Sequence, residues 1–265
     1  MSNVLRAELY KLVRNKAFWI CVVLCVIFPV LTVTSFQANI ENDLQFEPTD
    51  RSYIKAFEYT KVTSAIWALK KFLPLNYSPL LIGIFIAIFI ASEFSYGTAK
   101  NMVSRGINRT KVFLSKFIVC GAASLIMQVL FISMLIAAGS VVWGYDPHGD
   151  ASFDGLVRVA LSQLLVILGF TALFTLISVT VRSYGGAIAA IILCSTVVNT
   201  IINGFSLIFG AGKTLNDYWV GGVVLKLATV APFPDGFVRS LIVVAVWGIA
   251  SLAAGIMLFK KMDIK

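Results

Sequence analysis

The chain has 265 residues, of which 58% are hydrophobic and only 13% are charged. A soluble domain carries roughly 25% charged residues, so the composition excludes an ordinary soluble protein and indicates a polytopic helical membrane protein. The formal net charge of +9 would suit a nucleic-acid-binding protein, but the cations lie in loops on one side of the predicted membrane, so we expect no nucleic-acid partner.

The first 16 residues predict an amphipathic helix. Leu5, Leu9, Leu12 and Val13 recur at helical spacing on one face, whereas Arg14 lies elsewhere around the helix. A segment of this kind lies in the plane of the membrane interface instead of crossing it. We therefore predict an N-terminal interfacial helix characterised by Leu5, Leu9, Leu12 and Arg14.

Six apolar runs follow, each about as long as the ~20 residues that cross a bilayer as a helix. They predict an all-α fold of one membrane domain over residues 1–265, with six transmembrane helices at about 17–36, 75–92, 117–142, 156–181, 186–209 and 238–259. A polar external connection, 37–72, carries a helical pattern in its second half. The external segment 210–237 is partly apolar and is broken by Pro232 and Pro234. We predict that it re-enters the membrane, which requires other helices to shield its backbone.

The distribution of charge predicts the orientation. Six spans place both termini on one side, and that side holds 13 of the 22 Lys and Arg residues but three of the 13 acids. Because Lys and Arg are enriched in cytoplasmic loops, we expect both termini to be cytoplasmic.

The segment 93–116, between the second and third spans, is strongly basic. Thr98 is placed to cap a short helix over 99–103, and Gly106 stands where that helix should stop. A loop that only reversed the chain would need a few turn residues. The residues alone leave two interpretations open: a helix offered to a cytoplasmic partner, or a basic anchor on lipid headgroups.

The order of these features resembles the permease subunit of ABC transporters of the type-2 exporter class. A basic amphipathic helix precedes the first span. After the second span come an acid, Glu93, the pair Gly97 and Thr98, a short helix, and then Arg109 and Lys116 at the opening of the third span. The count of six spans and the broken apolar segment before the last one complete the pattern. The long connection 37–72 departs from it.

This resemblance implies that 93–103 is a cytoplasmic coupling helix that docks on an ATP-binding cassette ATPase. The ATPase-coupling residues it implies are Glu93, Gly97, Thr98, Asn101, Arg105 and Arg109. It also implies that 2–16 is the connecting helix and that 220–231 corresponds to short external re-entrant helices.

The resemblance further implies a protein of the plasma membrane that works with the ATPase, with a second permease copy or a paralogue, and with membrane lipid. ATP and Mg would bind to the partner ATPase, so we expect no cofactor in this chain. The substrate class would be amphipathic or apolar, as in antimicrobial-peptide or multidrug efflux, or a lipid.

We expect neither catalysis nor metal binding in this chain. The sequence GAGKT at 210–214 is similar to a phosphate-binding loop, but the motif requires a glycine where Leu207 stands. The single histidine, His148, lies in an acidic turn beside Pro147 and Gly149, which favours an ordinary turn over a cation site. One histidine in an outer turn cannot form a catalytic triad.

Four amide side chains lie within the predicted spans: Gln128, Gln163, Asn199 and Asn203. At membrane depth such amides either bond between helices or line a polar translocation path. We favour packing between helices and keep a polar translocation path as the alternative interpretation.

Two other functions remain open from the residues. A non-transporting membrane sensor or assembly scaffold would use the basic loop to bind lipid or a signalling partner. A secondary carrier is disfavoured because no full charge lies in the middle of a span, where proton- or ion-coupled carriers usually need one.

Overall fold

The computed structural model describes residues 2–48, 50–73, 77–98, 102, 104, 106–146, 153–209, 215–228 and 236–262. Within these ranges all regular secondary structure is helical. The helices are α1 Ser2–Arg14, α2 Lys16–Asp43, α3 Arg51–Val62, α4 Ala65–Phe72, α5 Tyr77–Ser95, α6 Arg109–Trp143, α7 Phe153–Val181, α8 Tyr184–Ile192, α9 Val198–Phe209, α10 Val220–Leu227 and α11 Phe237–Lys261.

Six helices in the described part of the chain are long and apolar enough to cross a bilayer. They are Lys16–Asp43, Tyr77–Ser95, Arg109–Trp143, Asp154–Val181, Tyr184–Ile202 and Phe237–Lys261. The predicted all-α, six-span membrane fold is therefore confirmed. The helix α7 is central, because it packs against α5, α6, α8, α10 and α11.

Two of the membrane helices are longer than predicted. The helix α2 continues past the expected end at 36 to Asp43, and α6 begins at Arg109, eight residues before the expected start at 117. With 35 residues, α6 is about 50 Å long, well beyond the ~30 Å of a hydrocarbon core. Asn108 explains the early start, because its side chain accepts a hydrogen bond from the backbone N–H of Thr110 and caps the helix.

The second half of the connection 37–72 forms two helices, where one helical pattern was expected. Asp50 caps α3 and Ser64 caps α4 through hydrogen bonds to nearby backbone N–H groups. The helix α4 packs on α6 so closely that a Cβ on Gly139 would lie 2.8 Å from the backbone of Ala65. Since Ile66 and Leu69 of α4 are buried, α4 belongs to the core of the protein instead of the membrane surface.

The fifth span is interrupted. After α8 the backbone forms a π-helical segment, Leu193–Val197, before α9 continues. In this region the hydroxyls of Ser195 and Thr196 donate to the carbonyls of Ile191 and Ile192. Such π segments inside α-helices commonly occur at functional positions.

The short helix α10 lies in the external segment that we predicted to re-enter the membrane. Val220, Val223 and Leu227 are fully buried against the bundle, where α10 packs on α7 and α11. The hydroxyl of Ser162 on α7 donates to the carbonyl of Leu227 at 2.9 Å. A re-entrant segment requires shielding of this kind, and the entry of this segment into the membrane stays a prediction. Residues 210–214 and 229–235, before and after α10 in the chain, lie outside the described residues.

Candidate functional site

The loop between α5 and α6 lies at the end of the bundle that carries both chain termini, which we call the terminal end. The helix α5 ends at Ser95, and the chain then turns at Gly97, whose φ is +66°. Gly106 has a φ of +75° and precedes the capped start of α6. Both glycines occupy a left-handed backbone conformation that other residues adopt only at a cost.

Only part of the predicted coupling helix can be placed. Met102 and Ser104 are helical, whereas Asn101 and Arg105, two of the predicted coupling residues, lie outside the described residues. The hydroxyl of Thr98 donates to the backbone carbonyl of Glu93 at 3.2 Å. In this contact Thr98 closes the end of α5. Its predicted N-cap role stays a prediction, because residues 99–101 and 103 lie outside the described residues.

Four charged side chains meet beneath this loop and form what we call the ion cluster: Glu8, Lys11, Glu93 and Lys116. Lys11 lies 3.1 Å from Glu8 and 3.2 Å from Glu93, and Lys116 lies 3.4 Å from Glu8. Lys116 also pairs with Glu93. The cluster therefore joins α1, α5 and α6 through two carboxylates and two ammonium groups.

The ion cluster is buried except for Lys11, whose side chain is 34% exposed. Glu8 and Lys116 are each 0% exposed, and Glu93 is 4% exposed. Charges that are buried in this way persist only when they are paired, because an isolated charge in a low-dielectric interior is strongly unfavourable. The positions of α1, α5 and α6 at this end therefore depend on one another.

Arg109 connects the same loop to the last helix. Its guanidinium donates to the backbone carbonyls of Lys260 at 3.0 Å and Met262 at 2.6 Å. The last carbonyls of a helix have no partner within the helix, so Arg109 caps the C-terminal end of α11. The start of α6 and the end of α11 are thereby held together.

The N-terminal helix lies beside the loop. A cavity of about 330 Å³ separates them, lined by Val4, Ala7 and Lys11 of α1 and by Thr98 and Met102 of the loop. The two segments that the sequence singled out, 2–16 and 93–103, are thus neighbours in space.

Part of the apolar face of α1 packs against the protein, and part of it is exposed. Leu12 is buried and Leu5 packs against the core, whereas Leu9 and Arg14 are exposed. Glu8 lies on the buried face between Leu5 and Leu12. We did not single out Glu8 from the sequence, although an acid at helical spacing between two apolar residues was the available signal.

The four amides of the spans are dispersed. Gln163 is buried in α7 and donates to the carbonyl of Val224 on α10 at 3.5 Å, which favours the packing interpretation. Gln128 is buried in α6, and its side-chain oxygen has no hydrogen-bond partner among the described residues. Asn199 and Asn203 belong to α9, but their side chains are outside the described part of the structure.

A family model described as ABC-2 family transporter protein matches residues 4–203, which is about three quarters of the chain and includes α1, the basic loop and the first five spans. No curated protein matches the chain.

Proposed function

The chain belongs to the ABC-2 family of transporter proteins, and on that premise we propose that it is the permease of an ATP-driven exporter of amphipathic or apolar molecules. It is a multi-pass membrane subunit of an ABC transporter. In this proposal the permease lies in the plasma membrane, with its terminal end in the cytoplasm. A separate ATP-binding cassette ATPase binds ATP and Mg and docks at that end.

The ion cluster is the observation that carries the proposal. It lies directly beneath the loop and ties three helices together, while Arg109 ties the loop to a fourth, α11. A displacement of the loop by the ATPase would therefore move α1, α5, α6 and the end of α11 as a group. Rigid movement of packed helices is a common way in which a local event opens or closes a distant site.

The structure changes the role that we assign to Glu93. Its carboxylate is buried in the ion cluster, so it cannot be a surface contact for the ATPase. In our proposal Glu93 is a positioning residue that holds the root of the loop. The exposed part of the loop, which includes Ser104 and Gly106, would face the ATPase.

The distribution of buried charge supports an apolar or amphipathic substrate. In the described part of the chain the buried charged side chains are Glu8, Glu93 and Lys116, and all three belong to the ion cluster at one end. The middle of the bundle offers hydroxyl and amide groups, such as the contact between Thr171 and Ser124 at 2.9 Å. We therefore propose a peptide, an antibiotic or a lipid as cargo, as in antimicrobial-peptide or multidrug efflux. Two copies, or this chain and a paralogue, would enclose its path.

Co-purification and energy dependence test the function. We expect the chain, isolated from its native membrane in mild detergent, to bring down an ATP-binding cassette ATPase in a stoichiometric ratio. Efflux of the substrate from cells should stop when ATP is depleted and should survive an ionophore that collapses the ion gradient. Purification without an ATPase, together with efflux that follows the ion gradient, would contradict the proposal.

A matched pair of variants tests the ion cluster as the coupling element. Glu93→Gln should uncouple ATP hydrolysis from transport in vesicles that contain the purified complex. The control is Asp217→Asn. Asp217 lies on the short segment that leads to α10, and its carboxylate pairs with Lys226 and Arg239. Equal numbers of molecules transported per ATP in the wild type and Glu93→Gln would show that the ion cluster has no part in coupling.

A further inference from the structure

A second cavity at the terminal end lies beside the C-terminal half of α1. It has a volume of about 450 Å³ and is bounded by α1, the start of α2, α5 and the start of α8. Its polar lining includes Tyr10, Arg14, Ser92, Tyr96 and Tyr184. Three phenol hydroxyls and a guanidinium are able to donate hydrogen bonds into the cavity, whereas the Ser92 hydroxyl already donates to the carbonyl of Phe89 at 2.7 Å. The cavity is therefore suited to an anion.

The charges that face this cavity are not balanced. Lys11 also lines it, but the charge of Lys11 is already matched by Glu8 and Glu93 in the ion cluster. Arg14 stacks over the ring of Tyr10 with 4.9 Å between its guanidinium carbon and the ring centroid. Among the described residues, no carboxylate oxygen lies within 4.0 Å of the Arg14 guanidinium, so Arg14 forms no ion pair with them. Arg14 therefore supplies the uncompensated positive charge of the cavity.

The cavity lies where a membrane interface is expected. The break at Asn15, between the interfacial helix α1 and the span α2, lines it. Trp19 is half exposed one turn into α2, and its indole N–H donates to the carbonyl of Val13 at 2.8 Å. Exposed Trp and Tyr side chains mark the headgroup level of a bilayer. Beyond this level α2 presents exposed apolar side chains, among them Ile20 and Leu24, along which an acyl chain can lie.

We propose that this cavity binds the phosphate group of an anionic phospholipid, with Arg14 as the charged contact and Tyr96 and Tyr184 as hydrogen-bond donors. A guanidinium offers paired N–H groups that match two phosphate oxygens, and basic pockets between membrane helices are suited to lipid headgroups. Free phosphate shares this chemistry, but the position of the cavity at the start of the apolar span α2 favours the lipid. The proposal does not depend on the proposed transport function.

Native mass spectrometry of the purified, delipidated full-length chain tests this site. The probes are phosphatidylglycerol, phosphatidylcholine and inorganic phosphate, each titrated separately. We expect one tightly bound phosphatidylglycerol, weaker binding of phosphatidylcholine, and no competition by inorganic phosphate at millimolar concentration. Arg14→Gln should weaken phosphatidylglycerol binding about fivefold, the effect typical of one cation near a membrane surface.

The matched control is Arg6→Gln, which removes an exposed cation of the same helix that does not line the cavity. It should leave the affinity unchanged. Tyr96→Phe removes only a hydroxyl from an exposed side chain, so it preserves folding and should weaken binding about two- to threefold. Equal losses in Arg14→Gln and Arg6→Gln, or equal affinities of all variants, would overturn the site. Full competition by inorganic phosphate would overturn the assignment to a lipid.

Discussion

The two ends of the helical bundle are held together by different kinds of contact. At the terminal end, the ion cluster joins α1, α5 and α6, and Arg109 joins α6 to α11. At the opposite end, Phe36 lies at the centre of a group of aromatic rings that also contains Tyr59, Trp67, Phe72 and Trp143. We call this group the aromatic cluster.

The two clusters differ in how much stability is lost when one side chain is removed. Removing one charge from the ion cluster leaves another buried charge without a partner, which costs much more than the lost contact. Removing one ring from the aromatic cluster leaves a cavity, and the cost depends on how far the neighbours relax. The terminal end therefore depends strongly on the relative positions of its helices, as a coupling element should, whereas the opposite end is stabilised by buried area.

The largest effect is expected for Lys116→Met. Lys116 is fully buried between Glu8 and Glu93, so the variant leaves two buried carboxylates with only the partly exposed Lys11 as a shared partner. We expect a loss of about 3–5 kcal/mol in the free energy of unfolding, measured by denaturant titration in detergent.

The control for that prediction also removes the negative charges of Glu8 and Glu93. The triple variant Lys116→Met, Glu8→Gln, Glu93→Gln should recover most of the lost stability, because a buried neutral amide costs much less than a buried carboxylate without a partner. It should remain uncoupled in transport. A triple variant less stable than Lys116→Met would show that buried charge is not the cause of the loss.

Phe36→Ala tests the opposite end. The ring is half-buried and contacts four other aromatic side chains, so we expect a loss of about 2–3 kcal/mol, somewhat below that of a fully buried phenylalanine. The same denaturant titration measures it. Transport per ATP should stay normal, and uncoupling by Phe36→Ala would remove the functional contrast between the two ends.

Arg109→Gln should have a smaller effect, about 1–2 kcal/mol, since it weakens two charge-assisted hydrogen bonds in a partly exposed place. Hydrogen exchange should accelerate in the last turn of α11. Lys111→Gln, at an exposed position of the same helix, is the control. Unchanged exchange at residues 258–262 in Arg109→Gln would contradict the proposed link between the loop and α11.

The smallest effect on stability is expected for Gly97→Ala, about 1 kcal/mol, because a φ of +66° is unfavourable for alanine although space for its Cβ is available. Gly236→Ala imposes a similar backbone cost at the opposite end, where φ is +81° and space for a Cβ is also available. Thermal unfolding in detergent should show similar destabilisation of both variants. Only Gly97→Ala should reduce transport per ATP, and equal reductions would mean that general destabilisation explains the loss.

Much of the candidate site followed from the pattern of the sequence. Gly106 was visible as the stop of a short helix and Gly97 was singled out through the family resemblance, and both have the left-handed backbone that a turn requires. The role of Glu93 was not visible, because its burial depends on α1 lying across α6. The early start of α6 was missed because the cap, Asn108, was taken as part of the loop.

The sequence by itself determined the fold class, the six spans and the concentration of cations in one loop, because apolar length and helical spacing are local properties of a chain. Only the tertiary structure decided that Lys11 meets Glu93 across 82 residues, that Lys116 meets Glu8 across 108, and that Arg109 caps α11 across 151. The physical reason is that a buried charge takes its partner from the side chains that packing brings within a few ångströms, and helical periodicity carries no information about which helices will pack together.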